Sequence, residues 1–180
     1  SKIKGEDKIF VTNFGDGALE QGVLHESLNF ASLKQVPVLF LCEDNNLAVH
    51  SPKSERQAFS LESLVGSYDI PYFEIEEGYD FLEVKNRSQA AINIVREQRT
   101  PVFLKINTAR YKEHVGPGED FFADYRKESE IDAWKLLDPL ITDVKLYNEF
   151  LGEINAEIEE AVQFGLDSPL PTIEDLLSDV

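Results

Sequence analysis

Short apolar runs, rich in β-branched and aromatic residues, alternate along this chain with longer segments whose apolar residues recur at helical spacing. The runs predict strands at residues 8–14, 38–42, 72–76 and 102–108. The segments between them predict helices at residues 18–34, 61–68 and 81–98, with a polar loop at 47–58. Because alternating strands and helices form a parallel sheet covered on both faces, the pattern predicts a doubly wound, mostly parallel α/β domain.

The character of the chain changes after the last predicted strand. Residues 110–120 are polar and rich in glycine, which predicts a loop at the carboxyl end of that strand, the side where α/β proteins bind ligands. Helical patterns follow at residues 128–137, 143–164 and 173–177. We therefore predict an α/β domain over residues 1–127 and a helical C-terminal extension over residues 128–180, packed on that domain or on a partner subunit.

Composition narrows the class of protein further. The 180 residues are 42% hydrophobic, which is enough for one buried core. A formal charge of −17 argues against nucleic acid or an anionic membrane as a partner. The single cysteine, Cys42, lies inside a predicted strand, so we expect it to be buried and unbridged. With no membrane-length apolar run and no signal-peptide pattern, the sequence predicts a soluble, cytoplasmic protein.

The candidate chemistry lies at the ends of the first two predicted strands. Gly15-Asp16-Gly17-Ala18 follows the first strand and precedes the first helix, a position where α/β sheets bind phosphorylated ligands. Asn45 follows the second strand, so neighbouring parallel strands would bring Asp16 and Asn45 to one edge of the sheet. A carboxylate, an amide oxygen and a nearby backbone carbonyl suit Mg²⁺, with ligand phosphate completing the shell.

The histidines and the tryptophan have simpler interpretations. His25 falls within the first predicted helix, where a structural role is expected. His114 lies in the ligand-side loop beside Arg110, so proton transfer, phosphate contact and a plain surface position all stay open. Trp134 occupies an amphipathic helix position and is expected in a core or an interface.

Together these motifs resemble the α subunit of the thiamine diphosphate-dependent E1 components of 2-oxoacid dehydrogenases, such as the pyruvate, branched-chain and acetoin enzymes. The resemblance covers nearly the whole chain and implies the diphosphate-binding domain of the thiamine diphosphate-binding fold, without its N-terminal part. The residues that carry it are Gly15-Asp16-Gly17-Ala18 with Glu20-Gln21-Gly22, Glu43-Asp44-Asn45-Asn46, His50-Ser51-Pro52, Arg110 with His114, and the ending from Pro169-Leu170-Pro171 to Asp179-Val180.

The resemblance implies that Mg²⁺ is ligated by Asp16, Asn45 and the backbone carbonyl of Leu47. The residues implied to bind the cofactor are Gly15, Gly17, Ala18, Asn45 and His114. The glycine would admit the diphosphate closely, and a helix that starts after Ala18 would supply N–H donors. His114 is also the implied catalytic residue, assisting proton transfer near the thiazolium ring.

The implied activity is oxidative decarboxylation of a small-molecule 2-oxo acid, with acyl transfer to the lipoamide of a lipoyl-bearing E2. The implied assembly is an α2β2 heterotetramer with an E1 β-type subunit, which binds the aminopyrimidine half of the cofactor. The family's region before the Gly-Asp-Gly motif is absent, so we expect the chain alone to be inactive. Val115 stands where mitochondrial members carry a phosphorylatable serine, so we do not expect that regulation.

Two alternatives stay open. Transketolases have the same fold and also carry Gly-Asp-Gly followed by Asn, so ketol transfer is the nearer alternative. A non-catalytic Mg²⁺-binding module resembling a receiver domain is the other. A receiver-like site needs an acidic pair near the first strand and a lysine after the last, whereas Asp16 stands alone there.

Overall fold

Four parallel strands form the central sheet of the computed structural model, which describes residues 5–178. Within that range the strands are β1 (Phe10–Gly15), β2 (Val38–Asp44), β3 (Leu47–Ala48), β4 (Ser51–Pro52), β5 (Tyr72–Ile75) and β6 (Val102–Asn107). The sheet order is β1-β2-β6-β5, and every neighbouring pair is parallel. β3 and β4 form a separate antiparallel hairpin. The predicted parallel sheet is confirmed.

Helices cover both faces of this sheet. α1 (Gly22–Lys34) and α2 (Leu61–Gly66) lie on one face, and α3 (Phe81–Gln98) lies on the other. The other helices of the described residues are α4 (Glu128–Lys135), α5 (Pro139–Thr142) and α6 (Val144–Asp167). On one face, Leu28 of α1 and Val65 of α2 are buried with Phe103 of β6. On the other face, Val95 of α3 is buried with Leu104 of β6. The two central strands, β2 and β6, are covered on both faces, which explains why each is a nearly continuous apolar run in the sequence.

The bounds of α3 are those that the sequence predicts, because both ends have strong local signals. The Asp80 carboxylate caps the start by accepting from the backbone N–H groups of Leu82 and Glu83, each at 3.0 Å. The helix ends after Gln98, because the next residue, Arg99, adopts a left-handed conformation with φ 53° and Pro101 follows two residues later.

The first helix, predicted to begin at residue 18, begins at Gly22. A 3₁₀ turn over Asp16–Glu20 precedes it. In this turn the carbonyl of Ala18 accepts from the backbone N–H of Gln21 at 3.1 Å, an i→i+3 bond, and Gln57 Nε2 ties the turn to a later loop by donating to the carbonyl of Asp16 at 3.2 Å. The expectation that an α-helix starts directly after Ala18 is therefore wrong.

The segment 47–58, predicted as a loop, contains secondary structure. It forms the β3–β4 hairpin and a 3₁₀ turn at Lys53–Glu55.

The contacts divide the chain into two compact units, the first ending at Asp138 and the second beginning at Pro139. The sequence places the start of the helical extension at residue 128, but α4 belongs to the first unit, where Ile131 is buried. In the second unit, α5 packs against α6, and Asp143 caps α6 by accepting from Leu146 N at 3.0 Å.

The end of the chain is only partly described. The helix predicted at 173–177 is a shorter 3₁₀ turn, Asp175–Leu177. The final pair of the family-like ending, Asp179-Val180, lies outside the described residues, as do residues 1–4 of the predicted first domain. No helix within residues 5–178 combines the length and the apolar composition needed to cross a membrane.

Candidate functional site

The candidate site lies where β1 and β2 end side by side. Gly15 is level with Glu43 in the register of these strands, so Asp16 and Asn45 follow neighbouring strand ends. The hairpin after β2 folds back over the turn after β1. A β-carbon built on Gly17 would lie 2.9 Å from the Ala48 Cβ, closer than side chains normally approach. The structure thus brings the Gly-Asp-Gly turn and the segment around Leu47 together.

Asp16 is almost completely buried, with 1% of its surface exposed. Its Oδ2 accepts from Arg56 Nη2 at 2.5 Å. Its Oδ1 is buried and has no hydrogen-bond partner among the described residues. A buried carboxylate oxygen without a partner is costly, and a bound cation is a common reason for one. Asp16 therefore presents one satisfied oxygen and one oxygen that suits a metal ion.

The other two oxygens considered as metal ligands are neutral. Asn45 Oδ1 accepts from the backbone N–H of Leu47 at 3.1 Å, which leaves it a second lone pair. Within residues 5–178, no group of three or more His, Cys, Asp or Glu side chains is placed to hold a metal ion. A site here would contain one carboxylate, an amide oxygen and a backbone carbonyl. Such a set fits Mg²⁺, which commonly keeps few protein ligands and takes the rest from phosphate and water.

Asp44 has no predicted role in the site, but its contacts hold the loop that contains Asn45. Its buried carboxylate accepts from Asn46 N at 2.9 Å, from Lys53 Nζ, and lies 3.4 Å from Lys105 Nζ. Burial alone would raise the pKa of Asp44, but hydrogen bonds from Lys53 and Asn46 and the charges of Lys53 and Lys105 hold it below its usual value. Asp44 is therefore ionised, and it fixes the backbone next to Asn45.

Lys105 continues this network across the sheet. Its ammonium also donates to Glu74 at 2.6 Å, and Glu74 accepts from the Tyr72 hydroxyl at 2.8 Å. Burial would lower the pKa of Lys105, but Glu74 and Asp44 outweigh it and raise the pKa.

Cys42 is buried, as predicted, and burial together with the nearby Asp44 charge raises the pKa of its thiol to about 12. The thiol is therefore protonated and unsuited to nucleophilic chemistry.

A second network organises the loop after β6. The carboxylate of Asp120, which is buried, accepts from Arg126 and from the Tyr125 hydroxyl, and it lies 3.4 Å from Arg110 Nη2. Burial would raise the pKa of Asp120, but the hydrogen bonds from Tyr125 and Arg126 and the charges of both arginines hold it below its usual value. Arg110 also donates to the carbonyl of Val49 at 3.0 Å, which ties this loop to the β3–β4 hairpin.

His114 lies in the same loop, on its exposed part. The loop around it is closed by Glu113, whose N–H donates to the carbonyl of Gly118 at 3.1 Å and whose carboxylate accepts from Gly118 N at 3.3 Å. Among the described residues, no hydrogen bond or ion pair joins His114 to Asp16 or Asn45. The segment from Glu113 to Gly118 is therefore closed by its own hydrogen bonds, and His114 within it is exposed.

A cavity of about 600 Å³ opens between the two networks. Residues from both loops line it, among them Asn45, Leu47, Lys53, Lys105 and Arg110. Trp134 closes one side and packs edge-on against Tyr79, with ring centroids 5.3 Å apart. Both polar and apolar groups line the cavity, and two of the residues that could hold a metal ion, Asn45 and Leu47, lie in its wall.

Solved structures identify the class of fold. A transketolase from Campylobacter jejuni has a TM-score of 0.51 at 17% identity, over 58% of this chain and 16% of that protein. A transketolase variant from Pichia stipitis has a TM-score of 0.51 at 16% identity, over 92% of this chain and 28% of that protein. The chain therefore has a transketolase-like α/β fold.

Sequence comparison identifies the family. The sequence model described as "Dehydrogenase E1 component" matches residues 1–174, and the chain belongs to that family. It is 33% identical to the testis-specific, mitochondrial pyruvate dehydrogenase E1 component subunit alpha of Homo sapiens, over 97% of this chain and 47% of that protein. It is 32% identical to the corresponding subunit of Rickettsia felis, over 99% of this chain and 57% of that protein. The chain thus spans about half the length of these relatives, and the resemblance drawn from its motifs is confirmed.

Proposed function

We propose that this chain is part of an E1 α-type subunit that uses thiamine diphosphate in the oxidative decarboxylation of a 2-oxo acid, with acyl transfer to lipoamide. The observation that carries the proposal is the buried, unpartnered Oδ1 of Asp16 at the end of β1, in a chain that belongs to the dehydrogenase E1 family. Phosphorylated ligands bind at this edge of α/β sheets, and a metal ion beside them would satisfy the carboxylate.

In this proposal, Mg²⁺ is held by Asp16, the amide oxygen of Asn45 and the backbone carbonyl of Leu47. The residues proposed to contact the diphosphate side of the cofactor are Gly15, Gly17, Ala18, Asn45 and His114. Because α1 begins at Gly22, the backbone N–H groups near the diphosphate would come from the 3₁₀ turn at Asp16–Glu20. When bound, thiamine diphosphate supplies the nucleophilic carbon and the electron sink that decarboxylation requires.

The other roles in the proposal, binding, orientation and proton transfer, are given to residues of this chain. The turn and the β3–β4 hairpin hold and orient the diphosphate end. His114 is proposed as the catalytic residue that holds and transfers a proton at its imidazole, a group suited to that task near neutral pH. The Asp120 network supports this role by ordering the loop that presents His114.

The proposed partners are an E1 β-type subunit, in an α2β2 heterotetramer, and a lipoyl-bearing E2. The support is that the matched relatives are named as alpha subunits of an E1 component. The helical extension over residues 128–180 is proposed to pack on the α/β domain or on that β-type subunit, and crosslinking within the assembly distinguishes the two. We expect this chain alone to show no measurable decarboxylation and to bind thiamine diphosphate weakly.

Transketolase-like ketol transfer is less well supported. The transketolase structures match at 16–17% identity, which supports the fold alone, whereas the relatives at about 32% identity are pyruvate dehydrogenase E1 alpha subunits. A panel of 2-oxo acids and ketose phosphates, assayed with the β-type subunit present, separates the two activities. Turnover of ketose phosphates alone would overturn the proposed reaction. The receiver-like alternative is at odds with membership of the E1 family.

The cofactor proposal is tested by thermal unfolding of the natural protein, purified with any subunit that accompanies it. Mg²⁺ and thiamine diphosphate are added separately and together. We expect stabilisation only with both, of about 2.7 kcal/mol at a ligand concentration 100-fold above Kd. The Asp16→Asn variant should lose this stabilisation. An unchanged unfolding temperature with both ligands present would contradict the proposal.

A cytoplasmic location is part of the proposal. It is supported by the cysteine content, because the single thiol is buried and unbridged, which is usual for proteins of reducing compartments. Cell fractionation tests it directly.

A further inference from the structure

One guanidinium group joins the two segments that carry the candidate metal ligands. Arg56 Nε donates to the carbonyl of Ser51 in β4 at 3.0 Å, and Nη1 donates to both carboxylate oxygens of Glu20 at 2.7 Å. Nη2 donates to Asp16 Oδ2 at 2.5 Å. The side chain of Arg56 is largely buried, with 13% of its surface exposed. Arg56 therefore fastens the turn after β1 to the hairpin after β2.

The same contacts decide which oxygen of Asp16 is available. Oδ2 is occupied by Arg56, and Oδ1 is left buried without a partner. Gln57 supports this arrangement because its Nε2 donates to the Asp16 carbonyl at 3.2 Å and to Glu20 Oε1 at 2.5 Å. The Asp16 carboxylate is thus held in one orientation before any ligand binds.

We propose that Arg56 is a positioning residue for metal binding: it fixes Asp16 so that Oδ1 faces the cation, and it holds the Leu47 hairpin against the Asp16 turn. This inference rests on the proposed function, since it presumes that Asp16 is a metal ligand. Groups that orient metal ligands without touching the metal commonly matter about 10- to 100-fold for metal affinity. The planar fork of donors spreads these three contacts over separate nitrogen atoms, a geometry that the compact ammonium of lysine does not reproduce.

A simpler physical account predicts the opposite effect. Arg56 is a cation paired with the same carboxylate, so a role limited to its charge would make it a competitor of the metal ion. Its removal would then tighten metal binding. A positioning role predicts weaker binding even though a positive charge has been taken away. The sign of the change in affinity therefore distinguishes the two accounts.

The experiment uses the natural protein, isolated with any accompanying subunit, and Mn²⁺ as a spectroscopic substitute for Mg²⁺. Free Mn²⁺ is measured by electron paramagnetic resonance during titration at saturating thiamine diphosphate, so the readout does not depend on turnover. We expect Arg56→Met to weaken Mn²⁺ binding about 10- to 100-fold. Arg56→Lys should recover part of the loss, because it keeps the charge but not the fork. Arg87→Met is the control, since Arg87 pairs with Glu83 on α3 and its removal deletes the same charge elsewhere.

Asp16→Asn separates failure of this inference from failure of the proposed function. If the wild-type protein binds no Mn²⁺, or Asp16→Asn binds it as tightly as wild type, the proposed metal site is wrong. If Asp16→Asn loses binding while Arg56→Met binds equally or more tightly, the site stands and the positioning role is overturned. Should Arg56→Met not fold, Arg56→Lys decides, because it keeps the charge and must still bind Mn²⁺ more weakly than wild type while unfolding cooperatively; unchanged binding would overturn the positioning role.

Discussion

Gly17 and Ala48 approach each other so closely that a β-carbon on the glycine would lie 2.9 Å from the Ala48 Cβ. Gly17 does not have a positive φ, so its backbone conformation would suit other residues. The requirement for glycine is therefore one of space. This contact is where the hairpin after β2 is seated on the turn after β1.

Gly17→Ala should push the hairpin away from the turn. Overpacking of this kind costs about 1–3 kcal/mol of folding free energy. We also expect loss of the joint stabilisation by Mg²⁺ and thiamine diphosphate, because Leu47 moves with Ala48. Urea unfolding and ligand-dependent thermal shifts measure the two effects. Gly22→Ala is the matched control, since a β-carbon there would meet nothing within 4 Å. The double variant Gly17→Ala with Ala48→Gly should recover both properties, and failure to recover would contradict the steric explanation.

Lys105→Met should destabilise the protein by about 1–3 kcal/mol. Lys105 joins Asp44 to Glu74, so its removal takes a cationic partner from each carboxylate. Asp44 keeps Lys53, whereas Glu74 keeps the Tyr72 hydroxyl. Urea unfolding at neutral pH measures the change. Lys8→Met is the control, because Lys8 and its partner Glu6 are exposed and such pairs contribute about 0–1 kcal/mol. Equal effects of the two substitutions would show that the buried network adds no stability.

The sheet could be predicted because each strand carries its own signal. The apolar run at Val38–Cys42 and the proline-bounded run after Pro101 are typical of buried parallel strands, and Asp80 marks a helix start. The turn after β1 could not be predicted in the same way. Gln57, which donates to this turn, is distant in sequence and becomes a neighbour only in the folded chain.

Within the candidate site, only the motif residues could be predicted from the sequence. Asp16 and Asn45 could be proposed from their positions after two strands. Asp44, Lys53 and Arg56 could not, because their contacts depend on how the hairpin folds back. One signal was present in the sequence: Lys105 interrupts an otherwise apolar strand, and a charge there usually has a buried partner. A polar position inside a predicted buried strand is therefore a sign of a hidden ion-pair network.

Asp120→Asn should destabilise the protein in a pH-dependent way. The folded-state pKa of Asp120 lies below its ordinary value of 3.8, because Tyr125, Arg126 and Arg110 outweigh the effect of burial. The ionised carboxylate therefore adds stability that is fully present above pH 3.8 and lost as the pH falls through the lower folded-state value. At neutral pH we expect a loss of about 3 kcal/mol, since buried Arg126 loses the carboxylate that pairs with its charge and keeps only the carbonyls of Arg110 and Lys112 as acceptors. Urea unfolding over a pH series should show the difference from wild type shrinking in acid. A difference that stays constant would contradict this assignment.

His114→Gln should leave the fold intact and remove activity. Its side chain is exposed, so we expect the free energy of unfolding to change by no more than about 0.5 kcal/mol. If His114 transfers a proton in the reaction, decarboxylation by the assembled enzyme should fall about 10²- to 10⁴-fold, with thiamine diphosphate binding much less affected. His25→Gln, a change within α1, is the control and should keep the activity of the assembled enzyme. Steady-state assays with the β-type subunit measure the turnover of each variant, and cofactor titration measures its affinity for thiamine diphosphate. Wild-type turnover by His114→Gln would overturn the proposed catalytic role of this histidine and leave the proposed metal site at Asp16 unaffected.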